Sequence, residues 1–142
     1  MSELGDRRWQ TLLDHFVAVV QRELLTHRGV LIERAGDGIL ATFDGPARAI
    51  RCAWGIRDSL RRSGLEVRSG LHTGEVTQRN SDVAGLAVHI GARVSAAAAP
   101  GEVLVTRTVR DLVAGSGIEF ADRGLHALKG VEDPWELYVT SS

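Results

Sequence analysis

The chain has one cysteine, one lysine and no long apolar run, and each scarcity removes a class of protein. With Cys52 alone no internal disulfide can form, and its apolar neighbours Ala53 and Trp54 point to a packed thiol in a reducing compartment. No stretch approaches the roughly 20 apolar residues a membrane span requires, and "MSELGDRRWQ" has no apolar signal-peptide core. A cytoplasmic protein without a membrane segment is expected. The formal net charge of -1 gives no basic surface for a polyanion, so nucleic acid is not an expected partner. Lysine and arginine total 17, and Lys129 is the single lysine. Genome base composition alone can produce such a bias, but it makes Lys129 stand out.

What is present is one domain's worth of globular sequence: 142 residues, 44% apolar and 25% charged, with no repeat, linker or low-complexity segment. Residues 6 to 28 carry Trp9, Leu12, Leu13, Phe16, Val20 and Leu24 at helical spacing, which predicts a helix with one buried face ending at Gly29. "VLIERA" and "ILATF" read as short strands joined through Gly36, Asp37 and Gly38, a strong hairpin signal. Pro46 opens the next helix, which stops at Gly64. "LEVRSGLHTGEV" reads as a glycine-interrupted strand, "NSDVAG" as a loop, and residues 84 to 98 as a helix ended by Pro100 and Gly101. "EVLVT", "RTVRDLVAG", "IEF" and "PWELYV" complete the pattern as strand, short helix and two strands. This order fits an α+β fold, a ferredoxin-like split βαβ arrangement whose opening strand is missing from the chain.

Several residues could carry chemistry. Glycines on both sides of Asp37 permit positive φ and let phosphates approach the backbone, and a lone carboxylate there suits Mg²⁺, which pairs one or two carboxylates with phosphate oxygens. A plain hairpin turn explains the same three residues. His89 and Arg93, four apart, would share one helix face and offer a ring and a guanidinium fork to a polar ligand; taken alone, they are better explained as a solvated face. Asp82 lies in the loop before that helix. Arg68, in a strand followed by Gly70, His72 and Gly74, marks a place where a ligand or another backbone passes close. Lys129 falls in a turn before the last strand.

Taken together, "AGDGILATF", "VRSGLHTGEV", "AVHIGARV", "PGEVLVTRTVRDLV" and "LKG" resemble, in order and spacing, the catalytic domain of class III nucleotidyl cyclases, from about residue 4 to the end of the chain. The resemblance implies a homodimer with shared active sites that turns ATP into 3′,5′-cyclic AMP and pyrophosphate with Mg²⁺ or Mn²⁺. It makes Asp37 a metal ligand, with Gly36 and Gly38 beside the phosphates. Arg68 becomes a phosphate contact from the same subunit, while Arg93, at the transition state, and Lys129, on phosphate, come from the partner. Asp82 matches the aspartate that accepts from the adenine amino group. Glu33 stands where adenylate cyclases have lysine and guanylate cyclases glutamate, so GTP is the alternative substrate. His89 replaces the asparagine that orients the ribose. The family's first strand, with its second metal aspartate, has no counterpart before Leu4, which leaves a non-catalytic dimerisation or nucleotide-binding module as the other reading.

Overall fold

The computed structural model describes residues 3–35, 38–79 and 82–141, with the backbone alone for 3–4, 35, 77–79 and 82–84. Among the described residues the order is α1 (Glu3–Thr26), β1 (Val30–Ala35), β2 (Gly38–Thr42), α2 (Pro46–Arg61), β3 (Ser69–Leu71), β4 (Thr77–Arg79), β5 (Asp82–Ala84), α3 (Leu86–Ala97), β6 (Val103–Thr106), α4 (Arg107–Leu112), β7 (Glu119–His126) and β8 (Trp135–Ser141). The strands form three sheets: the hairpin β1-β2, the hairpin β4-β5, and a four-stranded sheet in the order β3-β6-β8-β7. The architecture is α+β, as expected.

The centre of the molecule is β6. All four of its residues are buried, because helices cover both faces of the sheet there. Leu104 and Leu137 pack with Ile90 and Val94 of α3, whereas the adjacent Val105 and Tyr138 pack with Ile50 of α2 and Val109 of α4. Alternation along a strand sends neighbouring side chains to opposite faces, so one strand serves two cores. Trp54 Nε1–H donates to Thr140 Oγ1 at 2.8 Å, which ties α2 to β8.

The hairpin β1-β2 is held differently. Ile39, Ala41 and Phe43 pack against Val20, Leu24 and Cys52, a third cluster supplied by α1 and α2. Burial and the nearby Glu23 carboxylate push the Cys52 thiol up to about 12, so it is an inert packing group, as its neighbours predicted. Register along the hairpin shifts between Leu31 and Glu33, a bulge, before ending with Ala35 opposite Gly38.

Three expectations change. The first part of the α1 stripe is not buried: Trp9 is 51% exposed, and the first fully buried positions are Val19 and Val20. At about 1.5 Å per residue α1 is roughly 36 Å long, against about 24 Å for α2, so α2 cannot cover it end to end. The strand around Arg68 is only Ser69–Leu71. Asp82 begins a strand of a small hairpin instead of lying in a loop.

Candidate functional site at the two ends of α3

Helix α3 is laid along β3 by glycine. A Cβ on Gly70 would sit 2.6 Å from Ser95 Cα and 2.7 Å from Val94 C, and one on Gly74 would sit 3.1 Å from Ala87 Cβ. The close neighbour those glycines announced is therefore the α3 backbone. Because residue 70 lies against 95 and residue 74 against 87, the helix runs antiparallel to the strand. The direction decides where the candidate residues fall.

Arg68 lies just before β3 with an exposed side chain, and Ser95 Oγ donates to its carbonyl at 3.4 Å near the C-terminal end of α3. His89 sits near the opposite end, where its Nε2 donates to the carbonyl of Lys129 at 2.9 Å. A carbonyl can only accept, so this bond fixes the Nε2–H tautomer and leaves Nδ1 for any ribose contact. Arg93 is one turn further along, half-buried. Its Nε is shielded from solvent and has no hydrogen-bond partner among the described residues. A buried donor without an acceptor costs about 1–3 kcal/mol, so Arg93 carries an unmet hydrogen-bonding demand in the single chain. Arg68 and His89 are thus separated along α3 by about 9 Å of helix, from Ser95 back to His89 at ~1.5 Å per residue. One copy of the chain brings His89 and Lys129 together and leaves Arg68 apart.

At the His89 end a further residue enters the site. The His72 ring accepts or donates at Nδ1 to Thr106 Oγ1 (2.8 Å) and meets Trp135 edge to face, with centroids 5.1 Å apart. Burial lowers its pKa below the ordinary imidazole value, so the ring is neutral near pH 7. The sequence marked His72 only as part of a glycine-rich run, since its partners lie in β6 and β8.

Gly36 and Asp37 lie outside the described residues, as does the side chain of Asp82. Glu33 is exposed on β1 and has no ion-pair partner among the described residues, and Gly38 is exposed at the start of β2. No group of three metal-ligating side chains occurs among the described residues. Two open clefts, of about 560 and 580 Å³, are lined by α4, the start of β8 and the start of α2, and neither includes a candidate residue. No described helix is long and apolar enough to cross a membrane.

Residues 18–142 match the family model described as "Adenylate and Guanylate cyclase catalytic domain", a later start than the motifs suggested. A Rhizobium meliloti (strain 1021) protein named "Putative adenylate cyclase 3" is 28% identical over 94% of this chain, which spans 23% of that protein's length. The crystal structure of an adenylate/guanylate cyclase/hydrolase from Silicibacter pomeroyi superposes with a TM-score of 0.86 at 24% identity, covering 100% of this chain and 87% of the other. The catalytic core of a rhodopsin-guanylyl cyclase with converted specificity, in complex with ATPαS, gives 0.86 at 17% identity over 100% and 86%. Motifs, fold and family model agree, and the chain belongs to the adenylate and guanylate cyclase catalytic domain family.

Proposed function

We propose that two copies of this chain, paired about a two-fold axis, form an adenylate cyclase that converts ATP to 3′,5′-cyclic AMP and pyrophosphate. The observation that carries this reading is the antiparallel course of α3 along β3, which separates Arg68 from His89 and Lys129 within one copy. A second copy can bring its own Lys129 to the Arg68 and hairpin side of the first, and the family resemblance assigns Arg93 to that second copy as well. The site is then made of two incomplete halves.

In this arrangement Arg93 offers its guanidinium to the phosphate oxygens as charge develops on them. Lys129 and Arg68 hold the triphosphate from opposite sides and orient it for attack by the ribose 3′-oxygen, with pyrophosphate leaving in line. Asp82 and Glu33 face the base. A carboxylate accepts from the adenine amino group, which favours ATP, while Glu33 would accept from a guanine N–H. The converted-specificity cyclase bound to ATPαS shares the frame of this chain.

The family resemblance assigns the divalent ion to Asp37, which lies outside the described residues, and Mg²⁺ needs only one or two protein carboxylates beside phosphate oxygens and water. Asp37 would hold Mg²⁺ or Mn²⁺, which when bound neutralises phosphate charge and acidifies the 3′-hydroxyl. β2 and β3 each have one strand partner among the described residues, so the hairpin is not laddered to the main sheet there, and that loose join favours a second reading, a module that binds nucleotide or dimerises without turnover.

Incubation of the purified chain with ATP or GTP and Mg²⁺ or Mn²⁺ separates them. Cyclic AMP formation that is lost in Asp37→Ala supports the cyclase. Nucleotide binding with no cyclic product supports the module.

A further inference from the structure

We infer that His89 is a positioning residue: by holding the Lys129 carbonyl it fixes the turn that presents Lys129. Residues 128 to 131 form a β-turn closed by Val131 N–H donating to the Leu128 carbonyl at 3.0 Å. Leu128 is buried in the same cluster as Ile90, the residue after His89 on α3. The turn is therefore anchored at its first residue by the core, while Lys129 and Gly130 stand exposed at its apex.

Gly130 has φ of 80°, the value that the third residue of a type II turn requires. Types I and II differ by a flip of the central peptide, here the one joining Lys129 to Gly130, and the carbonyl of that peptide is the one His89 holds. The bond thus selects one orientation of the peptide carrying Lys129. Glycine is needed a second time here, because a Cβ on Gly130 would lie 3.0 Å from His89 Nε2. The imidazole, longer than an asparagine side chain, spans from the helix to the turn. Its Nε2–H is used within the chain and is not available to substrate.

The functional consequence rests on the proposed cyclase reading, but the clamp itself can be measured without nucleotide. Lys129 is the only lysine, so endoproteinase Lys-C can cut the native chain at one bond, yielding 1–129 and 130–142. Loss of one net hydrogen bond should raise the open population of the turn about five- to tenfold, and the cleavage rate with it. In His89→Ala we expect that acceleration at Lys129 while trypsin cleavage after arginines elsewhere keeps its wild-type rate. His89→Gln, which retains an amide donor, should recover part of the protection, and Gly130→Ala should accelerate cleavage like His89→Ala. An unchanged Lys-C rate, or a rise matched at the arginine sites, would overturn the clamp whether or not the protein is a cyclase. If cyclic AMP is formed, kcat/KM for His89→Ala combined with Lys129→Ala should equal that of Lys129→Ala alone. Multiplying losses would mean that His89 contacts substrate itself, which would overturn its positioning role.

Discussion

The β1-β2 hairpin and the four-stranded sheet are built to different standards. Buried side chains on both faces fix the inner strands β6 and β8, and β6 has no exposed residue, whereas the edge strand β7 is mostly exposed. The hairpin leans on one cluster with α1 and α2, is only half-buried along β2, and shares no ladder with the main sheet among the described residues. The proposed metal carboxylate belongs to the looser unit, and the proposed phosphate-binding Arg93 and Lys129 belong to the firmer one. A site assembled from both would have one preorganised wall and one adjustable wall, which suits a triphosphate that must be gripped and then released.

Core truncations should expose this difference most strongly. Leu104→Ala, at a fully buried position, is expected to cost about 2–5 kcal/mol, whereas Ile39→Ala on the hairpin should cost about 1 kcal/mol. Equal losses in urea denaturation would mean that the hairpin is as firmly held as the sheet. Next in size, Gly70→Ala forces α3 away from β3 and should cost about 3 kcal/mol, while Gly91→Ala, whose Cβ would meet open space, should be neutral or slightly stabilising.

Smaller effects separate acid sensitivity within the sheet. Burial lowers the folded-state pKa of His72, so the unfolded chain takes up its proton first. The stability tied to neutral His72 should decline as pH falls from about 6.5 toward the lowered folded value, and His72→Gln should remove that slope. Glu102 behaves in the other window. Its hydrogen bonds from Arg123 (3.1 and 3.3 Å) and from Ala99 N–H (2.7 Å) lower its pKa, so its contribution is present above the ordinary carboxylate value and is lost as pH falls through the folded one. Glu102→Gln should cost about 1 kcal/mol at neutral pH and flatten the most acidic part of the melting profile.

Local signals made much of the fold legible. The apolar stripe, the hairpin around Asp37, and the Pro46 and Gly101 punctuation place α1, α2, β1, β2 and the end of α3 within a few residues. Two features escaped because alternation is hidden. The segment after "IEF" extends as far as His126, but the irregularity at Asp122 and Gly124, where Gly124 has φ of 93°, interrupts the pattern. The β4-β5 hairpin has three-residue strands rich in polar residues, which carry little period to read. For the site, residue identities came from the motifs, but their partners did not. Pairing of His89 with Lys129 spans 40 positions and that of His72 with Thr106 spans 34, distances at which only the packed chain decides what meets.

Mixing two inactive variants tests the shared site most directly. Asp37→Ala and Arg93→Ala proteins, each without turnover alone, should regain about a quarter of wild-type cyclic AMP formation when mixed equally, since half of randomly paired dimers hold one intact site of two. No activity in the mixture, with both variants dimeric and individually inactive, would contradict a site built from two copies.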